Sequence, residues 1–554
     1  MIPGLKPKNH ETKGAQSADV EQYGLPRCQL LGVIFLTPVG RFDYFLLAGD
    51  VSQIPNTTLA YQYLGGGRSA YLSIKQRMKQ IKVRFAPSPT GPLHIGGARS
   101  ALFNYLLAQN QKGKLLLRIE DTDLERSSLK YEREIIESLS WLGISWDEGI
   151  DIGGDNGPYR QTERLDTYHR YVDRLLRSGH AYHCFCTEEE LAGERQAMLE
   201  KGQIVGYSGK CRDLTPEERE EKLNQGCLPT VRFRVPSGEN LVVNDLVRGP
   251  IIFDSSEIGD FIIVKSDGIP TYNFAVVIDD HEMLVTHVVR AEEHLSNTPR
   301  QLLIYQALGL RIPEFAHISL ILGKDRQKMS KRHGATSVMQ YREAGYLPEA
   351  VFNFLAFLGW SPEGEQEILD RNEIIKQFGL QRVAKNPAVF DLEKLNWLNA
   401  QYIKRKSPKD LGEMLKPYLN NSRFRERIED LDPEIYIVLI EAVRDRMVCL
   451  GDVVREVEPF FAAPRYDADT IQQLEQPEVR EMLRLFAERL PDRFDLEGAR
   501  AFMKGLPKAL QLPAKRVYMP IRLALTGSPH GPELPYLFVV MGIPEIRQRI
   551  AKWT

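Results

Sequence analysis

No stretch of this chain is apolar for long enough to span a bilayer. The closest, LLGVIFLTPVGRFDYFLLAG near the N-terminus, is broken by Pro38, Arg41 and Asp43, which also disfavours a signal sequence. Cysteine is scarce: the six are Cys28, Cys184, Cys186, Cys211, Cys227 and Cys449, and their spacing is not that of a secreted disulfide framework. A cytoplasmic protein is expected. Net charge is also nearly absent, with 72 Lys and Arg against 74 Asp and Glu, so any nucleic-acid contact has to come from local basic patches. Internal repeats and low-complexity tracts are lacking too.

What is present is an ordinary globular composition, 43% apolar and 26% charged, over 554 residues. That length exceeds what one core serves and suggests about four domains. Residues 1–77 read differently from the rest, with Gly/Pro punctuation and weak periodicity. The expectation is a leader or extension of unknown role, with Met78 as the native start.

From Ile81, strand and helix patterns alternate: IKVRF, a helix from Ala98, KLLLRIE, then the helical YEREIIESLSWLG. This order predicts an α/β fold with a parallel sheet, whose ligands bind beyond the carboxyl ends of the strands. Further strand-like runs are VRFRV, IIFD, DFIIVKSDG and MLVTHVVRAEEH, after a polar helical stretch around Glu188–Gln225. From Pro348 onward the pattern is mostly helical, including IYIVLIEAVRDRMVCLGDVV and VREMLRLFAERL.

APSPTGPLHIGG, residues 86–97, joins the first strand to the first helix with three prolines and three glycines. Glycines admit a ligand to the backbone, prolines restrict the loop, and the helix N-terminus favours an anion, to which His94 can donate. A second loop, GKDRQKMSKRHG, gathers Lys324, Lys328, Lys331 and Arg332. Taken singly, the first is a turn and the second a solvated basic loop. Cys184, Cys186 and Cys211 offer three soft ligands to one tetrahedral metal ion.

Taken together, PLHIGG and KMSKR resemble the two nucleotide-binding motifs of class I aminoacyl-tRNA synthetases. With LRIEDTD, GPYRQTER, DGIPTYNFA, VVRAEEHL and RVYMPIRLALTG, the chain from Ile81 to its C-terminus resembles the glutamyl-tRNA synthetase family. One departure from the superfamily pattern H-I-G-H is Gly97 in place of the second histidine.

The resemblance implies a Rossmann-like catalytic domain over 78–160 and about 270–323, and an inserted acceptor-stem-binding domain over about 161–269. It further implies a KMSKR loop and stem-contact domain over 324–408, and a helical anticodon-binding region over 409–554. The implied reaction is ATP-dependent activation of L-glutamate with Mg²⁺, then transfer to tRNA(Glu), with tRNA(Gln) left open as a second acceptor; a monomer is expected. It assigns catalysis to His94 and Lys331, and ATP binding to these with Pro87, Ser88, Gly91, Gly96, Gly97, Lys328 and Ser330. Glutamate falls to Arg84, Ala86, Ser88, Glu120, Tyr272 and Arg290, structural Zn²⁺ to Cys184, Cys186, Tyr207 and Cys211, and the anticodon to Arg444 and Arg446. On their own, Arg84 reads as a snorkelling strand residue, and Asp121 and Asp123 as caps of the next helix. A glutaminyl enzyme would carry β-barrels where this chain reads helical. A non-catalytic tRNA-binding paralogue is the reading from another class, disfavoured by intact His94, Glu120, Arg290 and Lys331.

Overall fold

The computed structural model describes residues 80–202, 206–329 and 335–554. The expectations for residues 1–77, Met78, Ser330 and Lys331 therefore lie outside the described residues.

The apolar residues of IKVRF give β1 (Lys82–Phe85), buried along its whole length. The Ile95–Asn110 helix crosses from it to β2 (Lys114–Leu117), which pairs parallel with β1, Arg84 opposite Leu116. β3 (Glu148–Gly149) adds a third parallel strand. The following strands are β4 (Ala181–Cys184), β5 (Thr230–Phe233), β6 (Asn240–Asp245), β7 (Gly249–Asp254), β8 (Phe261–Val264), β9 (His287–Ala291) and β10 (Glu314–Ile318). β4, β5 and β8 make a separate antiparallel sheet, while β7, β6, β10 and β9 pair in that order, β9 and β10 parallel.

This sheet continues the first. The Thr286 N–H donates to the Lys82 carbonyl and the Lys82 N–H to Thr286 Oγ1, both at 2.8 Å, so the chain just before β9 is stitched to β1. The carboxyl ends of β1, β2, β9 and β10 consequently face one side, as the strand–helix order predicts.

Two strand readings and one helix reading were too long. The continuous ladder of KLLLRIE ends at Leu117; beyond it the Arg118 N–H still donates to the Phe85 carbonyl at 3.1 Å and Ile119 makes a lone parallel bridge with Arg160, while the Arg118 and Glu120 side chains enter a buried polar network. In MLVTHVVRAEEH, Met283 caps the preceding helix and Glu292–Asn297 forms a 3-10 turn, leaving only His287–Ala291 extended. IYIVLIEAVRDRMVCLGDVV is not one helix either: Pro433–Arg444 ends at Asp445, so Arg446 lies beyond it. Asp121 and Asp123 do not cap the next helix. Ser128 does, while Asp121 accepts from the Thr162 N–H and hydroxyl, and Asp123 binds Arg126.

Beyond Pro348 the chain is helical apart from β12 (Ala388–Val389), which pairs with β11 (Ile321–Leu322). Helices from Pro408 to Ile550 enclose their own core, around Leu411, Leu439, Phe460, Phe486, Ile521 and Leu537. No helix among the described residues is long and apolar enough to cross a membrane.

Candidate active site

A cleft of about 910 Å³ opens at the carboxyl ends of β1 and β9. Every described residue expected to bind ATP or glutamate lines it: Arg84, Ala86, Pro87, Ser88, Gly91, His94, Gly96, Gly97, Glu120, Tyr272, Arg290 and Lys328.

The loop after β1 is pinned from the side. Glu120 N–H donates to the Pro87 carbonyl and Ser128 N–H to that of Pro89, both at 3.0 Å, so the loop holds the segment after β2. His94 is the N-cap of the Ile95–Asn110 helix, and its Nδ1 accepts the Gly97 N–H at 3.0 Å. With Nδ1 accepting, the ring proton sits on Nε2. Burial by the pocket wall lowers the His94 pKa, with Lys328 lowering it further and Glu293 opposing, so the neutral ring with one N–H to offer is favoured. A Cβ at Gly97 would lie 3.0 Å from Leu93 Cδ1, and one at Gly96 3.1 Å from the His94 ring. The Gly97 amide that holds His94 is a backbone group any residue would supply, and the neighbour of an added Cβ is only the mobile end of Leu93, so nothing in the structure accounts for the departure at Gly97.

The basic loop returns to the same place. The Ile95 N–H donates to the Thr336 carbonyl and the Val338 N–H to that of Leu93, so the chain leaving KMSKR is sewn to the His94 loop. On the other flank Lys328 Nζ pairs with Glu293 Oε2 at 2.6 Å. Burial would raise the Glu293 pKa, but this ion pair holds it below the usual carboxylate value.

Deeper in the cleft the two arginines differ. Arg84 Nε donates to both Asp280 oxygens, at 3.2 and 3.3 Å. Arg118 backs this pair, reaching Asp280 at 2.9 Å, Glu120 at 3.1 Å and Asp279 at 3.5 Å. Burial alone would lower the Arg118 pKa, but these three carboxylates raise it above the ordinary arginine value. Asp280, against its own burial, is lowered by Arg84 and Arg118. Glu120 is raised by burial, which Arg118 and Arg84 only partly offset.

Arg290 is equally buried, at 5% exposure, yet among the described residues no carboxylate bonds to it. Its hydrogen-bond partners are His317 Nε2 at 3.1 Å, the Tyr272 hydroxyl at 3.4 Å and Thr298 Oγ1 at 2.9 Å. Burial lowers its pKa. A buried guanidinium among neutral acceptors is a costly arrangement that an incoming carboxylate relieves. Glu120 lines the same cleft, its carboxylate held by Arg118.

Asp279, Asp280, Arg118, Glu293 and the His317–Asp245 pair were missed in the sequence. Their signal is charge inside apolar runs, as in NFAVVIDDHEM and LLLRIE. Such charges have to be paired when the run is buried.

The metal candidates also converge. Cys184, Cys186 and Cys211 place their sulfurs within 4.8 Å of one another. Cys186 and Cys211 Sγ are 3.6 Å apart, and the Tyr207 hydroxyl lies 3.4 Å from Cys184 Sγ and 3.7 Å from Cys186 Sγ. Four ligands at zinc bond lengths on a tetrahedron would stand about 3.8 Å (S to S) and about 3.5 Å (S to O) apart, so these residues fit one such ion. Neither His183 nor the exposed Cys227 belongs to the group. At the far end, Arg444 contacts Asp445, and Arg446 Nε donates to Glu456 at 2.6 Å; burial, and then the Arg446 charge, lowers the Arg522 pKa.

Comparison with known proteins agrees with this geometry. The family of class I tRNA synthetases (E and Q), catalytic domain, matches residues 80–397, and an anticodon binding domain family matches 410–554. A glutamate–tRNA ligase of Carboxydothermus hydrogenoformans is 56% identical over 474 residues, spanning 85% of this chain and 99% of the relative. One from Desulforamulus reducens is 53% identical over 469 residues, 83% and 97% of the two chains. The crystal structure of a glutamate tRNA ligase from Elizabethkingia meningosepticum, in complex with its amino acid, superposes with a TM-score of 0.79 at 36% identity, covering 86% and 99%. A cleft holding a neutral His94 at a helix N-terminus, an anion-seeking Arg290 and a buried Glu120 thus lies within the matched catalytic region, and the chain belongs to the glutamate–tRNA ligase family of class I aminoacyl-tRNA synthetases.

Proposed function

We propose that this chain activates L-glutamate with ATP and transfers it to the 3′ end of tRNA(Glu). A glutamate α-carboxylate oxygen attacks the α-phosphorus of ATP and pyrophosphate leaves. A terminal ribose hydroxyl of the tRNA then attacks the carbonyl carbon, and AMP leaves. The observation that carries this reading is Arg290, a buried cation left with neutral partners. With Arg84 it binds the two carboxylates of glutamate, and Glu120 binds the ammonium, with Tyr272, Ala86 and Ser88 completing the pocket. Glutamine would leave one guanidinium facing a neutral amide, so glutamate is preferred.

His94 Nε2–H and the backbone of Pro87–Gly97 face the triphosphate. Lys331 follows the departing pyrophosphate, and Ser330 and Lys328 serve the same loop. Lys328 leaves Glu293 when phosphate charge arrives. Mg²⁺ carried with ATP supplies further charge neutralisation; the protein's part is mainly positioning and electrostatics.

Residues 78–160 and about 270–323 form the catalytic unit in this reading, about 161–269 meet the acceptor stem, 324–408 the inner stem, and 409–554 the anticodon through Arg444 and Arg446. Zn²⁺ held by Cys184, Cys186, Cys211 and Tyr207 folds the 184–211 segment locally, away from the chemistry. The protein acts as a cytoplasmic monomer. Elemental analysis of full-length protein purified without chelator is expected to find zinc bound; below roughly a tenth of an equivalent, the zinc assignment is withdrawn.

The central test is charging of purified tRNA(Glu) and tRNA(Gln), separately, with glutamate and ATP. Glutamyl-tRNA(Glu) is expected, and the tRNA(Gln) arm decides whether that acceptor is shared. No charging of either tRNA by folded protein would overturn the reading. A chain starting at Met78 is expected to charge with unchanged kinetics.

A further inference from the structure

Arg290 owes its orientation to a chain of residues behind it. On the neighbouring strand His317 is its register partner, and His317 Nε2 accepts the Arg290 Nε–H at 3.1 Å. The other ring nitrogen of His317, Nδ1, lies 2.6 Å from Asp245 Oδ2, and the His317 backbone N–H reaches the same oxygen at 3.0 Å. Asp245 Oδ1 accepts the Val247 and Arg248 N–H groups at 2.9 and 2.8 Å. Both side chains are fully buried. Four donors saturate the Asp245 carboxylate, and a carboxylate facing Nδ1 puts the proton there, which makes Nε2 an acceptor.

We propose that His317 and Asp245 are positioning residues for the amino-acid-binding Arg290: Asp245 fixes the histidine tautomer, and His317 then aims the guanidinium without neutralising it. The contrast with Arg84 gives the physical reason. Asp280 orients Arg84 directly and cancels much of its charge, whereas a neutral imidazole orients Arg290 and leaves its charge for a substrate carboxylate. Burial lowers the His317 pKa against the pull of Asp245, which keeps the imidazole uncharged beside the arginine. Asp245 ends β6, within the 161–269 stretch, and β6 meets β10 at Phe315. The amino-acid pocket therefore depends on a carboxylate from the segment that also carries the cysteine cluster.

The inference rests on the reading that Arg290 binds a glutamate carboxylate, and the test separates the two. In tRNA-charging assays with the full chain, His317→Gln keeps an acceptor near the Nε2 position, whereas His317→Asn can still satisfy Asp245 but no longer reaches Arg290. His317→Asn is expected to raise KM for glutamate roughly ten- to a hundredfold, the range for losing a hydrogen bond to a charged group, with KM for ATP within about twofold. His317→Gln is expected to restore glutamate KM to within about threefold of the parent. Asp245→Asn, which frees the tautomer, is expected to behave like His317→Asn and serves in its place should that variant fail to fold. The inference is overturned if the Gln and Asn variants have equal glutamate KM, or if ATP KM and thermal midpoint move in step with glutamate KM. Arg290→Met is the control: unchanged glutamate KM there would defeat the underlying reading, whereas a raised value beside unaffected Asn variants would defeat only this inference.

Discussion

The two halves of the chain bury charge very differently. Around the cleft, Lys82, Arg84, Arg118, Glu120, Asp279, Asp280 and Arg290 are all withdrawn from water, whereas between residues 409 and 554 the only buried charged side chains are those of Glu456 and Arg549. A sheet that binds a small zwitterion has to present fixed charges in a dry setting, where they act strongly and must be paired or reserved. A helical region that grips a polyanion from outside needs only an apolar core and exposed cations. The catalytic half is therefore the more fragile of the two: its specificity sits on groups whose partners cannot be removed cheaply.

The sharpest way to break this contrast is Asp280→Ala. Among the described residues Asp280 is the one carboxylate bonded to Arg84, and it is shared with Arg118. Its loss leaves a buried guanidinium unpaired, and a cost of about 3–5 kcal/mol is expected in denaturant unfolding, together with loss of glutamate activation. Glu456→Ala in the helical half frees Arg446 and Arg455, which keep access to water, and should cost no more than about 1 kcal/mol. Equal destabilisation by the two would mean that buried charge is not what separates the halves.

Next in size is His94→Ala. Removing one donor aimed at developing phosphate charge is expected to lower kcat by roughly 10²–10³, and the lost helix cap to cost about 1 kcal/mol of stability. The pH profile sharpens this. Because the folded pKa of His94 is lowered, the unfolded chain takes up the proton first as pH falls. The contribution of neutral His94 is complete above the ordinary histidine value of about 6.5 and is lost as pH falls from there through the folded pKa. Protonation would set Nδ1–H against the Gly97 N–H. The acid limb of the wild-type kcat profile should accordingly lie below that of a free histidine and vanish in His94→Ala.

The strand–helix order of residues 81–141 was legible because each element is apolar with a clean period, and the sheet formed as that order requires. Strand ends were not legible: LLLRIE reads as continuous β pattern, but after Leu117 the pairing passes from a ladder to single contacts, with Ile119 bridging Arg160, a partner that no local pattern announces. Within the cleft, the described residues placed by motif are together, because each motif stands as an unbroken run of sequence that can be read without knowing the fold. The residues behind them escaped notice. Asp280 acts from the Tyr272–Glu282 helix, His317 and Asp245 from strands far apart in sequence, and nothing local marks His317 as the partner of Arg290.

The smallest expected effect lies in the helical half, and it tests whether its exposed cations act as proposed. Arg446 is 38% exposed, just past the end of the Pro433–Arg444 helix, bonded to Glu456 and close enough to Arg522 to lower that residue's pKa beyond the effect of burial. With more than a third of its surface open to water, the Arg446 guanidinium can meet an anion from outside. Arg446→Ala should therefore leave stability and glutamate KM nearly unchanged while raising KM for tRNA several-fold. A change uniform across anticodon variants, with a shallower salt dependence, would mark a phosphate contact; a change confined to one anticodon position would mark base reading. An unaltered tRNA KM at every salt concentration would remove Arg446 from the interface and leave Glu456 as its sole partner, one more ion pair that water could replace.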